Sequence, residues 1–276
     1  MRVVMLGCGT PNPDPERSGP CVAVIAGDRA YLVDCGPGLV RRAAAAERNG
    51  IAALAPAKLG IVFITHLHSD HTVGLPDLML TPWVQGRREP LEVHGPPGVR
   101  AMTGHLLEAY AEDIRVRSTG LEPDPSEGWR VNAHEIAAGP VYRDANVAVT
   151  AYAVQHANWR HAFAYRFESA GQVVVVSGDT RPNDALIEAC RGCDILVHEV
   201  YSADRFATRP PEWQRYHADA HTSTTELAAL ASRAKPRLLV LYHLLHWGTD
   251  DPGLVREVQR GYDGVVKAAK DLEVYP

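Results

Sequence analysis

Apolar runs of strand length alternate along this chain with stretches whose apolar residues recur at helical spacing. Strands are predicted in the first half at 3–6, 21–26, 30–33, 61–64 and 91–94, and in the second half near 147–154, 162–167, 173–177, 195–198 and 238–243. Helices are predicted near 39–48, 78–84, 99–113, 183–190, 222–234 and 252–269, and short strands with turns across 115–146. The pattern predicts an α/β protein with two strand-rich halves, each covered by helices.

The composition is that of a globular protein, with 276 residues of which 46% are hydrophobic and 22% charged. We expect one domain spanning 1–276. The formal net charge of −5 argues against a broadly basic surface that tracks nucleic acid. No segment approaches the roughly 20 apolar residues that span a bilayer, and the N-terminus lacks the apolar part of a secretory signal. We therefore expect a cytoplasmic protein with no membrane partner, unless a leader has been removed, and leave open whether it forms a homodimer.

The five cysteines are odd in number and lie in apolar surroundings, which favours reduced thiols. Cys190 and Cys193 form a single CxxC motif with no second pair. We expect this motif to be an inert helix end.

Candidate chemistry is concentrated directly after the apolar run 61–64, where three histidines and one aspartate lie within six residues: His66, His68, Asp70 and His71. Neutral imidazole and carboxylate are the ligands that suit Zn²⁺ and neighbouring divalent metals. Three more candidates follow other strand-like runs: His156, Asp179 and His243. The spacing predicts a metal site assembled at the ends of several strands.

This ordered set of motifs resembles the metallo-β-lactamase superfamily of dinuclear metallohydrolases, and within it the branch of ribonuclease Z and the related arylsulfatases and phosphodiesterases. The resemblance runs from Leu6 to about Tyr242. It implies a four-layer αβ/βα sandwich with two divalent ions, Zn²⁺ first and Mn²⁺ as the alternative. Two such ions would activate a bridging hydroxide for hydrolysis.

Carried over by motif, the resemblance divides seven ligands between the two ions. The first ion would be held by His66, His68 and His156, the second by Asp70, His71 and His243, with Asp179 bridging them. It places Asp34 behind the loop as a hydrogen-bond partner of a ligand.

Two later motifs resemble those of ribonuclease Z: His198-Glu199-Val200-Tyr201 and His221-Thr222-Ser223. They imply that Glu199 orients His221, and that His221 protonates or stabilises the leaving oxygen. With Asp70, these two residues form the predicted catalytic group. The ending Val200-Tyr201 departs from the family's motif, which weakens the case for tRNA.

Only 22 residues separate His156 from Asp179, too few for the protruding arm with which bacterial ribonuclease Z grips tRNA. We therefore expect a small-molecule phosphodiester or sulfate ester as substrate, with RNA disfavoured. The alternatives are a ribonuclease Z-like tRNA 3′-processing endonuclease, a β-lactam, lactone or thioester hydrolase, and a catalytically silent metal-binding module.

Several other side chains are expected to have structural roles or to lie at the edge of the site. His94 and His105 have no acidic or histidine neighbours at ligand spacing and are expected to be structural, and His134 to be solvated. Trp213, Tyr216 and His217 are expected to line the mouth of the active-site pocket.

Overall fold

The structure is a computed structural model that describes residues 1–122 and 126–276. Positions 123–125, which belong to the turn-rich stretch predicted across 115–146, lie outside the described residues. In chain order the strands are β1 Arg2–Gly7, β2 Cys21–Ala26, β3 Arg29–Val33, β4 Ile61–Phe63, β5 Leu91–Gly95, β6 Val131–Glu135, β7 Gly139–Arg143, β8 Ala148–His156, β9 Trp159–Ser169, β10 Gln172–Val176, β11 Ile195–Tyr201, β12 Leu238–Leu245, β13 Val266–Ala268 and β14 Val274–Tyr275.

The α-helices are α1 Leu39–Arg48, α2 Ser69–Thr72, α3 Leu75–Val84, α4 Val99–Ala109, α5 Ala111–Thr119, α6 Asp184–Cys190, α7 Ala203–Phe206, α8 Pro211–Ala220, α9 Thr224–Ala234 and α10 Asp251–Gln259. Two short 3₁₀ turns, Ala52–Leu54 and Pro56–Lys58, precede β4. None of the helices within the described ranges combines the length and apolarity needed to cross a membrane.

The strands form two mixed sheets of seven, one ordered β14-β1-β2-β3-β4-β5-β6 and the other β13-β12-β11-β10-β9-β8-β7. The alternation of side chains along β1 shows how the two sheets and the helical layer stack. Val3 and Met5 enter the core between the sheets, whereas Val4 and Leu6 pack with the helical layer outside. A third core covers the outer face of the second sheet with residues of α6, α9 and α10. Three cores between four layers confirm the predicted αβ/βα sandwich.

Two element predictions were wrong, and helix α8 was not predicted. The segment 99–113 divides at Tyr110 into α4 and α5, and α5 runs on to Thr119, where ion pairs such as Arg115 with Glu112 support the helix. The helix predicted to end near 269 stops at Gln259, and Val266 pairs in parallel with Leu239 instead. Helix α8 lay in a stretch for which no element was predicted.

The expectation about the CxxC motif is also corrected, because Cys190 and Cys193 are joined as a disulfide. The motif does lie at the end of α6, as expected. Cys8, Cys21 and Cys35 are buried free thiols.

Candidate active site

The predicted ligands come together at one edge of the sandwich. His66 and His68 lie in the loop after β4, while Asp70 and His71 lie on the short helix α2 that follows it. The remaining three come from the second sheet: His156 ends β8, Asp179 follows β10, and His243 lies within β12. Potential ligand atoms of His66, His68, His156 and Asp179 all lie within 4.8 Å of one another, as do those of Asp70, His71 and His243.

Three imidazole nitrogens converge in the first group. Nδ1 of His68 lies 2.9 Å from Nε2 of His66 and 3.1 Å from Nε2 of His156. Nitrogens bound at 2.0–2.1 Å to a tetrahedral Zn²⁺ are about 3.3 Å apart, so the observed spacing is close to that of a metal site.

Hydrogen bonds on the other ring nitrogens orient two of the predicted ligands. Nδ1 of His156 lies 2.7 Å from the carbonyl oxygen of Ala220, and donation to that oxygen leaves Nε2 free for a metal. Nδ1 of His71 lies 2.8 Å from Oδ2 of Asp34, whose other oxygen accepts from the Thr65 amide at 2.8 Å. Asp34 therefore lies where the sequence placed it, behind the metal loop.

Asp179 lies between the two groups. Its Oδ2 is 3.3 Å from Nε2 of His71, 3.4 Å from Nε2 of His243 and 4.0 Å from Nε2 of His156. The residue before it, Gly178, has φ +61°, and a Cβ there would lie 2.8 Å from Cβ of Thr65. A larger residue would therefore move the loop that aims Asp179.

A β-bulge aims His243. Along the β11–β12 pair, Glu199 faces Tyr242 and Val200 faces Leu244, so His243 is the extra residue between them. Its φ of +46° lies in the left-handed region, where a non-glycine residue is strained. The bulge turns its imidazole toward Asp70, whose Oδ2 lies 3.3 Å from Nε2 of His243.

The protonation states of the first group fit metal binding. Burial lowers the pKa of His68 and of His156 to about 4, and that of His66 well below its usual range, so these imidazoles are neutral near pH 7. Burial acts to raise the pKa of Asp179, but the facing His243 and His71 lower it further, and the group is a carboxylate.

Buried atoms without partners add to this fit. Within the described part of the chain, Oδ1 of Asp179 and Nδ1 of His243 have no hydrogen-bond partner. Buried polar atoms are normally paired, so these suit a centre that is completed by cations and their ligands.

Glu199 and His221 are adjacent and buried at the same edge, with Oε2 of Glu199 3.3 Å from Nδ1 of His221. Burial lowers the pKa of His221 to about 4, whereas burial and the nearby Asp179 raise the pKa of Glu199 well above its usual range. His221 also has a ring nitrogen within 4.8 Å of ligand atoms of Asp179 and His243. The pair therefore borders the second group of ligands.

An open cavity of about 920 Å³ lies over the ligands. Trp213, Tyr216 and His217 line it, as expected from the sequence. Tyr201, which departs from the resembling motif, packs its ring 5.1 Å from that of Trp247, another lining residue. Trp213, Tyr216 and Trp247 therefore give the wall an aromatic part.

Sequence reasoning missed three site residues. Trp247 and Arg209 also line the cavity, and the Arg209 guanidinium lies 5.4 Å from the Trp247 ring centre. Trp159 places Nε1 2.7 Å from Nε2 of His68. A tryptophan three residues beyond the predicted ligand His156 was the available signal for the last of these.

The four layers and the His/Asp clusters define a hydrolase of the metallo-β-lactamase fold class, suited to divalent metals. The chain belongs to the beta-lactamase superfamily, because the family described as "Beta-lactamase superfamily domain" matches residues 29–244.

Ribonuclease Z of Mycobacterium bovis (strain BCG / Pasteur 1173P2) is 37% identical over 246 residues, which are 88% of this chain and 85% of that protein. Ribonuclease Z of Mycobacterium marinum is 36% identical over 88% of this chain and 86% of that protein. The crystal structure of human tRNase Z, short form, has a TM-score of 0.75 at 22% identity and covers 100% of this chain and 99% of that one, which supports the fold.

Proposed function

We propose that this protein is a metal-dependent endonuclease of the ribonuclease Z type, which hydrolyses a phosphodiester bond at the 3′ side of a tRNA precursor. The observation that carries the proposal is the likeness to proteins named Ribonuclease Z across 88% of the chain. It reverses our preference from sequence for a small ester over RNA.

The missing arm does not oppose this assignment. Strands β8 and β9 are joined by a two-residue turn, 157–158, so no arm projects there. The same 246 aligned residues make up 88% of this chain and 85% of the M. bovis protein, so that Ribonuclease Z is only slightly longer. The absence of an arm at this turn therefore goes together with likeness to a protein of that name over most of its length.

Two divalent ions, Zn²⁺ first and Mn²⁺ as the alternative, would occupy the ligand groups. His66, His68 and His156 would hold one, Asp70, His71 and His243 the other, with Asp179 between them. Such ions supply a nucleophilic water at neutral pH and neutralise charge on the phosphoryl oxygens.

Side chains of the protein would then position the attacking water and protonate the leaving oxygen. Asp70 lies on the cavity wall and would orient the attacking water by accepting a hydrogen bond. His221 would donate a proton to the departing ribose oxygen through the ring nitrogen that does not face Glu199, because the negative charge of a bound phosphodiester would raise its pKa above the low value that burial gives it in the free protein. Glu199 would orient the imidazole, and proton donation of this kind contributes about 10²–10⁴-fold.

The second candidate is a phosphodiesterase or sulfatase that acts on small esters. The net charge of −5 favours it, because a long phosphate backbone is held mainly by basic surfaces. The aromatic cavity would accept a small aryl or nucleotide ester equally well. Each candidate fits a single domain spanning 1–276 and a cytoplasmic location.

Incubation of the metal-loaded protein with a tRNA precursor that carries a 3′ trailer tests the proposal. We expect one cut at the trailer junction, with mature tRNA left intact. Bis(p-nitrophenyl) phosphate, an aryl sulfate and a β-lactam are assayed in parallel, and Asp179→Ala serves as the inactive control. Turnover of small esters with no cleavage of the precursor would replace the first candidate by the second.

A further inference from the structure

A second group of histidine and carboxylate side chains lies on one face of β5 and β6, at the edge of the first sheet. The two strands are parallel, with Glu92 opposite Asn132 and His94 opposite His134. The alternate residues Leu91 and Val93 pack under the helical layer, so the four polar side chains share the opposite face. The sequence-based view that His94 has no such neighbours is therefore wrong.

The side chains of this group are already close enough to share an ion. Nε2 of His134 lies 2.7 Å from Oε2 of Glu92, and Asn132 donates to the other carboxylate oxygen at 2.7 Å. The rings of His94 and His134 are stacked with their centres 4.5 Å apart. Potential ligand atoms of Glu92, His94 and His134 all lie within 4.8 Å of one another.

His94 is a buried imidazole whose ring nitrogens lack partners in the described part of the chain, which indicates a site for a ligand. Its side chain is buried at 6% exposure, and neither ring nitrogen has a hydrogen-bond partner among residues 1–122 and 126–276. Phe63 stacks on one face of the ring, with the centres 5.1 Å apart, and cannot satisfy a nitrogen. Buried imidazole nitrogens are normally paired, so an ion that binds one of them would remove a cost of folding.

We propose that Glu92, His94 and His134 bind one divalent transition-metal ion of the Zn²⁺ type, in a site separate from the seven ligands of the catalytic centre. Two imidazoles and a carboxylate are ligands that Zn²⁺ accepts, and water completes the coordination. The side chains of His134 and Glu92 are 47% and 31% exposed, so the ion has access and the His134 ring has room to turn toward it.

The protonation state of His94 is consistent with this role. Burial, with the neighbouring His134, lowers the pKa of His94 to about 4, so its nitrogens bind no extra proton at neutral pH. Because β6 is an edge strand that pairs with β5 alone, an ion held by both strands would fasten the edge of the sheet.

The test counts Zn²⁺ ions bound per chain, by equilibrium dialysis and elemental analysis. We expect the unchanged protein to bind one ion more than His134→Ala or Glu92→Gln, the second being close to isosteric. All three proteins should hydrolyse bis(p-nitrophenyl) phosphate at the same rate, since the catalytic ligands are untouched. Added Zn²⁺ should raise the unfolding midpoint of the unchanged protein more than that of either variant.

His105→Ala is the matched control, because His105 is another exposed histidine beside a carboxylate, with Nδ1 3.3 Å from Oε2 of Glu108. It should retain the full number of ions. Equal ion counts in the unchanged protein and the two site variants would overturn the proposal. So would the same loss in His105→Ala, which would indicate unspecific binding to surface histidines. Cleavage of precursor tRNA is measured separately and does not enter this result.

Discussion

Oε2 of Glu199 faces Nδ1 of His221 at 3.3 Å, while Oε1 of the same carboxyl group accepts from the Thr222 amide at 2.8 Å and the Thr180 amide at 3.4 Å. One side chain therefore joins the loop that carries His221 to the loop that carries Asp179. In the proposed mechanism Glu199 is therefore a positioning residue, which would set the imidazole relative to the proposed metal bridge.

If His221 donates a proton to the leaving oxygen, His221→Ala should slow esters with alkoxide leaving groups far more than esters of p-nitrophenol. An alkoxide needs the proton and p-nitrophenolate does not. The expected difference is about 10²-fold or more, measured as kcat on matched alkyl and p-nitrophenyl phosphodiesters.

Glu199→Gln should show the same leaving-group pattern more weakly, because the imidazole remains but is less well oriented. Both variants should keep their metal ions. An equal loss on good and poor leaving groups would indicate charge stabilisation in place of proton donation, and loss of metal would make His221 a ligand.

Metal content should be about two ions per catalytic centre, since seven ligands exceed the four of one tetrahedral zinc. Asp179→Ala should lose activity and at least one of these ions, because Oδ2 of Asp179 lies near ligands of both groups. Elemental analysis checks this, in a Glu92→Gln background if the edge site binds an ion. Retention of both ions would remove Asp179 from the bridging position.

Trp213→Ala should raise KM for precursor tRNA about 5-fold or more and leave kcat nearly unchanged. The indole is 48% exposed on the cavity wall, stacked 5.7 Å from the ring of His217, where a nucleobase could pack against it. Loss of one base-aromatic contact costs about 1–3 kcal/mol. Tyr110→Ala, an exposed aromatic outside the cavity, is the control, and equal KM values for the two variants would contradict a binding role.

Arg87→Met should lower the free energy of unfolding by about 3 kcal/mol or more. The guanidinium is buried and donates to the carbonyl oxygens of Leu59, Leu78, Met79 and Gly128 at 2.7–3.3 Å. Its removal leaves buried acceptors unpaired, each at a cost of about 1–3 kcal/mol.

Urea unfolding of the Arg87 variant at pH 7 gives this value, with the exposed Arg48→Met as control. Arg48→Met should stay within about 0.5 kcal/mol of the unchanged protein. An equally small effect of Arg87→Met would mean that water replaces the lost donors.

Stability should fall on the acid side partly through His94. Burial and His134 lower its folded pKa from 6.5 to about 4, so the unfolded chain binds the proton more readily between those values. The contribution of neutral His94 to the free energy of unfolding is complete above pH 6.5 and is lost as the pH falls toward 4.

With a chelator present, the unchanged protein should therefore lose about 1–2 kcal/mol more than His94→Phe between pH 7 and pH 5, after allowance for the solvent near His134. Urea unfolding at both pH values measures the difference. Parallel losses in the two proteins would show that His94 titrates in the fold as it does in the unfolded chain.

The residues predicted as metal ligands could be expected to meet from sequence, because each follows or ends an apolar run and strand ends meet at one edge of a sandwich. The pairing of His94 with His134 could not be predicted from sequence, because the two residues are 40 positions apart and the sequence does not reveal the parallel register of β5 and β6. Helix α8 was missed for two reasons. Prolines lie at its start, and its apolar and aromatic residues do not recur with the periodicity of a core helix. The segment after Gln259 looked helical by its apolar content, but glycines at 261 and 264 and the pairing of Val266 with Leu239 decide otherwise.

The extra residue in β12, His243, interrupts the regular pairing of the sheet and at the same time supplies a predicted metal ligand. Deletion of His243 would let Tyr242 and Leu244 follow one another in register with Glu199 and Val200, and would remove a left-handed non-glycine residue. Selection for thermal tolerance alone would therefore favour the shortened strand. A library of single-residue deletions, sorted first for folding and then for hydrolysis, should enrich that deletion in the first sort and eliminate it in the second.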